Sequence, residues 1–297
     1  MPIDRSLLIE GGPVGVLLIH GLGGTPIEMR NVAQSLAAAG HTVLACQLAG
    51  HGGTEDDLAA ATHEDWYASA EAALALLETR CTTVLVGGLS MGALLAAMLA
   101  ARTGDRVAGL IMLAPTLRYD GWSIPWYRFL LPLLIHTPLG RRYRFVEAEP
   151  FGLKDERMRA VVARAMRQGA PEAGLLGTPS QALRQLWRLV AALKPRLRDI
   201  RQRTLLVHAR EDDVASLSNS LYLQQHLGGM VDALILDDSY HLVTLDRQRT
   251  EVTDRVVAFT GAVSDAAQQP APLASVGARP ARSQARRIAV AEVPHVA

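Results

Sequence analysis

Lysine is nearly missing from this chain. Lys154 and Lys194 are the only two in 297 residues, and arginine carries the rest of the positive charge. The total of 30 basic residues is balanced by 29 acidic ones, so no broad electrostatic field draws the molecule to nucleic acid. Cysteine is as scarce. Cys46 and Cys81 stand alone, which excludes a disulfide framework and any Cys-x-x-Cys or Cys/His metal cluster. Long apolar runs are also lacking. The longest, Phe129–Leu139, is broken by Pro132, His136 and Pro138 and falls short of the roughly 20 residues a membrane span needs. The first residues carry Asp4 and Glu10 in place of an apolar secretory core. These absences leave the expectation of a soluble, cytoplasmic protein. Aromatic residues make up only 5%, and their placement matters more than their number.

What is present is ordinary globular composition, 49% hydrophobic and 20% charged, which excludes wholesale disorder. Short apolar runs alternate with longer helical stretches, the pattern of a mainly parallel sheet flanked by helices. Strands are expected at Val14–Ile19, Thr42–Cys46, Thr83–Gly87, Val107–Leu113, Thr204–His208 and Val231–Leu236, with Ser6–Ile9 a weaker seventh. Most are continuously apolar, as where both faces of a sheet are covered. Helices are expected at Glu28–Ala39, Glu64–Arg80, Met91–Arg102, Ser218–Leu227 and Asp246–Val263.

Two regions break this rhythm. Residues 117–200 offer no core strand, yet Tyr119–Phe151 holds 8 of the 14 aromatics. That is too long for a plain loop and reads as a mostly helical cap over the C-terminal edge of the sheet, where open α/β sheets bind ligands. Residues 264–297 have no usable periodicity, and alanine and proline supply 14 of the 34; this stretch reads as a disordered tail. The core is then residues 1–116 and 201–263.

The chemistry concentrates in Val84-Leu85-Val86-Gly87-Gly88-Leu89-Ser90-Met91-Gly92-Ala93. Here Gly88-x-Ser90-x-Gly92 directly follows a buried strand and precedes a helix of small and apolar residues. A turn sharp enough to lift a serine hydroxyl above a sheet strains that serine, and brings neighbouring segments so close that the flanking positions must be small. The helix that starts at Met91 turns its free N–H groups toward any developing anion. The five-residue string alone turns up by chance in roughly one such chain in ten; its placement between strand and helix is what makes it informative. The alternative is an ordinary serine in a glycine-bordered turn.

A nucleophilic serine needs a base, and the base an orienting acid. Of nine histidines, His241 follows the last strand and precedes the closing helix, so it belongs at the C-terminal edge of the sheet. His208 ends a strand and reads as a buried, hydrogen-bonded imidazole. For the acid, Glu211-Asp212-Asp213 follows the strand Thr204–His208 at the same edge, and either aspartate is eligible. Serine, acid, histidine is the chain order of α/β-hydrolases. Ile19-His20-Gly21-Leu22-Gly23-Gly24 runs off an early strand into a glycine-rich turn. It is not G-x-G-x-x-G, which excludes a dinucleotide site. The backbone N–H groups of Leu22 and Met91 are the expected oxyanion donors, with His20 organising the loop. Trp122, Trp126, Phe129 and Tyr240 are candidates for an apolar substrate pocket, although packing of the cap onto the body would account for them equally well.

With these motifs in hand, the chain resembles bacterial carboxylesterases of the monoacylglycerol-lipase type in the α/β-hydrolase superfamily. His20-Gly21-Leu22-Gly23 looks like their oxyanion loop and Gly50-His51-Gly52 like their G-H-G turn. Gly88-Leu89-Ser90-Met91-Gly92 looks like the nucleophile elbow, and Ser239–Asp246 like the histidine loop. The register of Ala209–Val214 in that comparison puts the acid on Asp212, so Asp213→Asn is expected to matter little. The resemblance covers residues 14–115 and 204–260. It implies an α/β-hydrolase fold with a mostly parallel central sheet and a helical cap. It also implies hydrolysis of short- to medium-chain acyl esters or monoacylglycerols through an acyl-serine, with no cofactor and no metal. Leu22 and Tyr240 depart from the aromatic and the glycine common at those positions, and both would line the pocket. An acyltransferase or thioesterase could use the same triad, and a binding protein on a degenerate hydrolase fold is the non-enzymatic alternative. The expected partner is a small acyl ester. Arg141, Arg142 and Arg144 at the rim of the cap raise a weak contact with a membrane surface.

Overall fold

The structure, a computed structural model, describes residues 4–268 apart from 136, 139, 147 and 169–173. In chain order the strands are β1 (Leu7–Ile9), β2 (Val14–Ile19), β3 (Thr42–Cys46), β4 (Thr83–Leu89), β5 (Gly109–Leu113), β6 (Arg144–Val146), β7 (Gly177–Pro179), β8 (Arg203–Ala209) and β9 (Val231–Leu236). The helices are α1 (Arg30–Ala38), α2 (Glu55–Ala60), α3 (His63–Glu78), α4 (Met91–Thr103), α5 (Leu131–Leu134), α6 (Glu156–Arg167), α7 (Ser180–Leu193), α8 (Ser218–His226) and α9 (Arg249–Gln268).

Seven strands form one sheet in the order β1-β3-β2-β4-β5-β8-β9. Within this sheet β1 runs antiparallel to β3, and β2, β3, β4, β5, β8 and β9 pair in parallel. Every residue of β2 is buried, because helices cover both faces. Leu17 and Ile19 join one core cluster with Trp66, Leu74 and Leu94, while Val16 and Leu18 join another with Val32, Val252 and Phe259. This is the two-residue alternation of a strand whose two faces are both dry.

Helix α4 is buried from Met91 to Ala100, since it lies between the sheet and the helices α3 and α7. That position explains why it is built from alanine, leucine and glycine. Among the described residues, no helix is long and apolar enough to cross a membrane.

The structure adds to or departs from the sequence reading in four places. Helix α2 was not expected, although its start carries a capping box: Thr54 accepts from the Asp57 N–H and the Asp57 carboxylate accepts from the Thr54 N–H. The inserted segment, expected to be mostly helical, also carries a short antiparallel pair, β6 and β7, outside the main sheet. Its last helix, α7, does not roof the sheet edge. It buries Leu183, Leu186, Leu189 and Leu193 in the same cluster as α3 and α4, as its broad apolar stripe requires. Finally, α9 continues to Gln268, so residues 264–268 are helical where a disordered tail was expected. Ser264 is buried on that helix, and Ala266 and Ala267 are strong helix formers. The remainder of that tail, 269–297, lies outside the described residues.

Candidate active site

Ser90 is where β4 turns into α4, and its backbone sits at φ 57°, ψ −115°. A left-handed φ is strained for a side-chain-bearing residue. The strain holds because the turn is locked on both sides. A Cβ on Gly92 would fall 2.2 Å from the Ile19 carbonyl oxygen, and one on Gly88 would fall 2.4 Å from the Gly92 backbone. The Ser90 N–H donates to the Leu113 carbonyl at 2.8 Å. Both glycines of the motif are therefore required by backbone approach, and the hydroxyl is left at the C-terminal edge of the sheet.

The loops after β8 and β9 bring two distant groups to that hydroxyl. His241 Nε2 lies 3.0 Å from Ser90 Oγ, and His241 Nδ1 lies 2.8 Å from Asp212 Oδ2. All three residues are buried, with Ser90 only 7% exposed. The other Asp212 oxygen accepts the N–H groups of Val214 and Ala215. Burial disfavours ionisation of Asp212, but the neighbouring His241 and His208 and these hydrogen bonds outweigh it and hold the carboxyl below its ordinary value. Burial opposes the charged form of His241 as well. The carboxylates of Asp212, Asp213 and Glu28 outweigh that and raise the imidazole above its usual range.

His208 is the buried structural imidazole anticipated for it. Its Nε2–H donates to the Ala215 carbonyl at 2.7 Å while Nδ1 accepts from Ser220 Oγ at 2.8 Å. His20 is buried and pushed down to about 4 by desolvation. In the neutral form it donates from Nδ1 to Gly21 O at 2.8 Å and accepts the Leu48 N–H on Nε2. His51 of the G-H-G turn packs between His20 and Trp66, and burial lowers it to about 3.

The segments that carry the two expected oxyanion donors both adjoin Ser90. Met91 is the first residue of α4, whose opening N–H groups have no intrahelical acceptor. The residue before Leu22 packs on the elbow: a Cβ on Gly21 would lie 3.6 Å from Ser90 Cβ.

The four pocket candidates separate into two pairs. Trp122 and Tyr240 meet edge to face, ring centres 5.4 Å apart, and the Trp122 indole N–H donates to the Glu211 carbonyl. That places both beside the acid and histidine loops. Trp126 and Phe129 instead cluster with Tyr127 on the outside, 79% and 63% exposed. Of the rim arginines, Arg144 is taken by Glu55 and Asp56, and the side chain of Arg141 lies outside the described residues.

Three more residues enter the site: Thr116 and Asp246, which sequence reasoning gave no role there, and Asp213, which it weighed as the acid and set aside. Thr116 Oγ1 lies 3.0 Å from Ser90 Oγ. Asp213 is only 2% exposed, and its carboxyl accepts the N–H groups of His241 and Gly152. Asp246, fully buried, accepts those of Tyr240, Lys154 and Asp155. These two aspartates tie the histidine loop to the segment before α6. Asp213 thus holds backbone of the histidine loop, a role the sequence reading did not assign to it. An aspartate directly beside the expected acid was its one visible signal; Thr116 had none. Among the described residues, no group of His, Cys, Asp and Glu side chains is arranged to hold a metal ion.

A strained serine on the β4–α4 turn, an imidazole and a carboxylate delivered from later strands, and a seven-stranded mostly parallel sheet beneath them define an α/β-hydrolase with a serine-hydrolase site. Residues 14–248 match the serine aminopeptidase S33 family, and the chain belongs to it. It is 32% identical over 251 residues to a thermostable monoacylglycerol lipase of Bacillus sp. (strain H-257), covering 84% of this chain and 91% of that protein. The solved structure described under two metagenome-derived lipolytic enzymes, LipS and LipT, superposes with a TM-score of 0.74 at 30% identity, covering 86% of this chain and 97% of its own. A soluble variant of monoglyceride lipase from Saccharomyces cerevisiae, solved with a substrate analogue, shares the fold. Its TM-score is 0.70 at 16% identity, over 88% of this chain and 91% of its own.

Proposed function

We propose that this protein is a serine esterase that hydrolyses short- to medium-chain acyl esters or monoacylglycerols, with Ser90 as nucleophile, His241 as base and Asp212 as its orienting acid. The observation that carries the reading is the unbroken relay of 2.8 Å and 3.0 Å contacts from Asp212 through His241 to Ser90. The relatives named as lipases support the ester as substrate.

In the reaction, Ser90 Oγ attacks the ester carbonyl carbon while its proton passes to His241 Nε2. Asp212 accepts the Nδ1–H and so keeps Nε2 free as the base; it then stabilises the imidazolium. The carbonyl oxygen becomes an oxyanion held by the N–H groups of Leu22 and Met91, and one such donor is typically worth about 3 kcal/mol. Collapse expels the alcohol, which takes the proton from His241. Water then attacks the acyl-serine by the same route and releases the acid. No step calls on a cofactor.

Trp122 and Tyr240, beside the acid and histidine loops, support an apolar substrate wall at the site. Trp126, Tyr127, Phe129 and Leu133, each more than half exposed, support weak contact of the cap with a membrane surface. Of the rim arginines, Arg144 is already paired with Glu55 and Asp56.

The test is product analysis on a p-nitrophenyl ester series and on monoacylglycerols, in water and with competing alcohols. Free acid as the dominant product, with turnover peaking at short to medium chains, is the expected result. Dominant transfer to the alcohol would make the protein an acyltransferase, and turnover confined to thioesters or amides would displace the ester reading.

A further inference from the structure

Glu28 lies outside the triad, yet the loop from Gly21 to Gly24 is shaped around its carboxyl group. A Cβ on Gly24 would fall 2.0 Å from Glu28 Oε1, and a Cβ on Gly21 3.4 Å from Glu28 Oε2. The carboxylate takes the space a Cβ on Gly24 would need and stands in van der Waals reach of one on Gly21. The same Gly21 is the residue whose Cβ would sit 3.6 Å from Ser90 Cβ, so the carboxyl lies just behind the wall that faces the nucleophile.

The hydrogen bonds explain what it does there. The Gly21 N–H donates to Glu28 Oε2 at 2.9 Å. The Gly21 carbonyl accepts from His20 Nδ1 at 2.8 Å and from the Gly24 N–H at 3.2 Å. Gly21 is therefore pinned at both ends. Its carbonyl belongs to the same planar peptide unit as the Leu22 N–H, so fixing Gly21 fixes the direction of the expected oxyanion donor. Glu28 itself is set in place by the 3₁₀ turn Pro26–Met29, whose Met29 is fully buried.

We propose that Glu28 is a positioning residue of the oxyanion loop, holding the Gly21–Leu22 peptide toward the tetrahedral intermediate and adding its charge to those of the carboxylates that act on His241. The proposal rests on the esterase reading above.

Desolvation pushes Glu28 up to about 7, only partly offset by the Gly21 hydrogen bond and by His241. Its ionisation therefore falls within the range where such a site would operate. His241 is also faced by Asp212 at its Nδ1, by Asp213 at its backbone N–H and by His208 across Asp212; Asp246 grips the neighbouring Tyr240 N–H. Against that fixed background, an ionised Glu28 favours the imidazolium. Removing its charge must lower the pH at which His241 becomes a free base.

The test compares Glu28→Gln and Glu28→Ala in the full chain by pH profile, plateau rate and rate of Ser90 phosphonylation. In Glu28→Gln the amide oxygen still accepts the Gly21 N–H. Its plateau is expected within about threefold of the parent, with the acid limb of kcat/KM displaced to lower pH by about half a unit or more. Glu28→Ala is expected to show the same displacement and to lose about tenfold or more in kcat with KM little changed, because the donor is no longer aimed. An acid limb in Glu28→Gln that coincides with the parent's would overturn the proposal. So would a folded Glu28→Ala with parental kcat. Parent protein that fails to label at Ser90 would instead be a failure of the esterase reading.

Discussion

The Thr116 hydroxyl lies 3.0 Å from Ser90 Oγ, the same distance that separates Ser90 Oγ from the His241 imidazole. Ser90 has one proton for two neighbours. When it is given to His241, the contact with Thr116 is satisfied only if Thr116 donates, turning its own proton away from the Ala114 carbonyl that lies 3.2 Å from it. Thr116 is then a donor to the nucleophile as negative charge builds on it. Thr116→Val, which keeps the shape, is expected to slow phosphonylation of Ser90 by about three- to tenfold, the worth of one hydrogen bond of about 1 kcal/mol. Thr116→Ser should restore the rate. Equal rates in Thr116→Val and the parent would remove Thr116 from the chemistry.

Asp212 and Asp213 are adjacent and both buried, but they hold different atoms of His241. Asp212 accepts from the ring, Asp213 from the backbone N–H. Asp212→Asn is expected to cost several powers of ten in kcat, by presenting an amide to Nδ1 and favouring the wrong tautomer. Asp213→Asn keeps one acceptor oxygen for two N–H donors, those of His241 and Gly152. Its expected loss is milder, about tenfold, together with a lower melting temperature. Steady-state kinetics and thermal melts of both variants check the ranking, and a larger kcat loss in Asp213→Asn would reverse the assignment.

The pH dependence follows from the same carboxylates. His241 must be neutral to take the serine proton, and Asp212, Asp213 and Glu28 together raise it above its ordinary value of 6.5 despite its burial. Activity is therefore expected to be low in acid and to rise with pH, with the midpoint of the kcat/KM profile above that ordinary value. A midpoint below it would mean that desolvation wins and that the imidazole is not held by its neighbours as the geometry requires.

Most of the sheet could be read from the sequence because its strands are apolar on both faces. Val14–Ile19, Thr42–Cys46 and Val231–Leu236 have the same bounds in the structure. Ser90, His241 and Asp212, which the structure brings into contact, were legible as a group because each follows the C-terminal end of such a strand. The inserted segment was less so. Aromatic clustering marks Trp122–Phe129 as part of a cap but cannot say that Trp126 points outward. The stripe of leucines in Ser180–Leu193 is equally compatible with a lid and with the body helix α7 that it is. The roles of Glu28, Thr116, Asp213 and Asp246 escaped notice for another reason. Their work is done on backbone groups and hydroxyls brought close only by tertiary folding. Thr116 is 26 residues from Ser90, and Asp213 is 28 from His241, so no local pattern marks them.

The central claim is that one hydroxyl, that of Ser90, is the group activated at this sheet edge. Intact-mass analysis after treatment with a fluorophosphonate, on the parent protein and on Ser90→Ala, tests it most directly. The account predicts a single phosphonyl adduct on the parent, mapped to the peptide containing Ser90, and none on Ser90→Ala. A parent that does not react, or a Ser90→Ala variant that labels as fast as the parent, would contradict it.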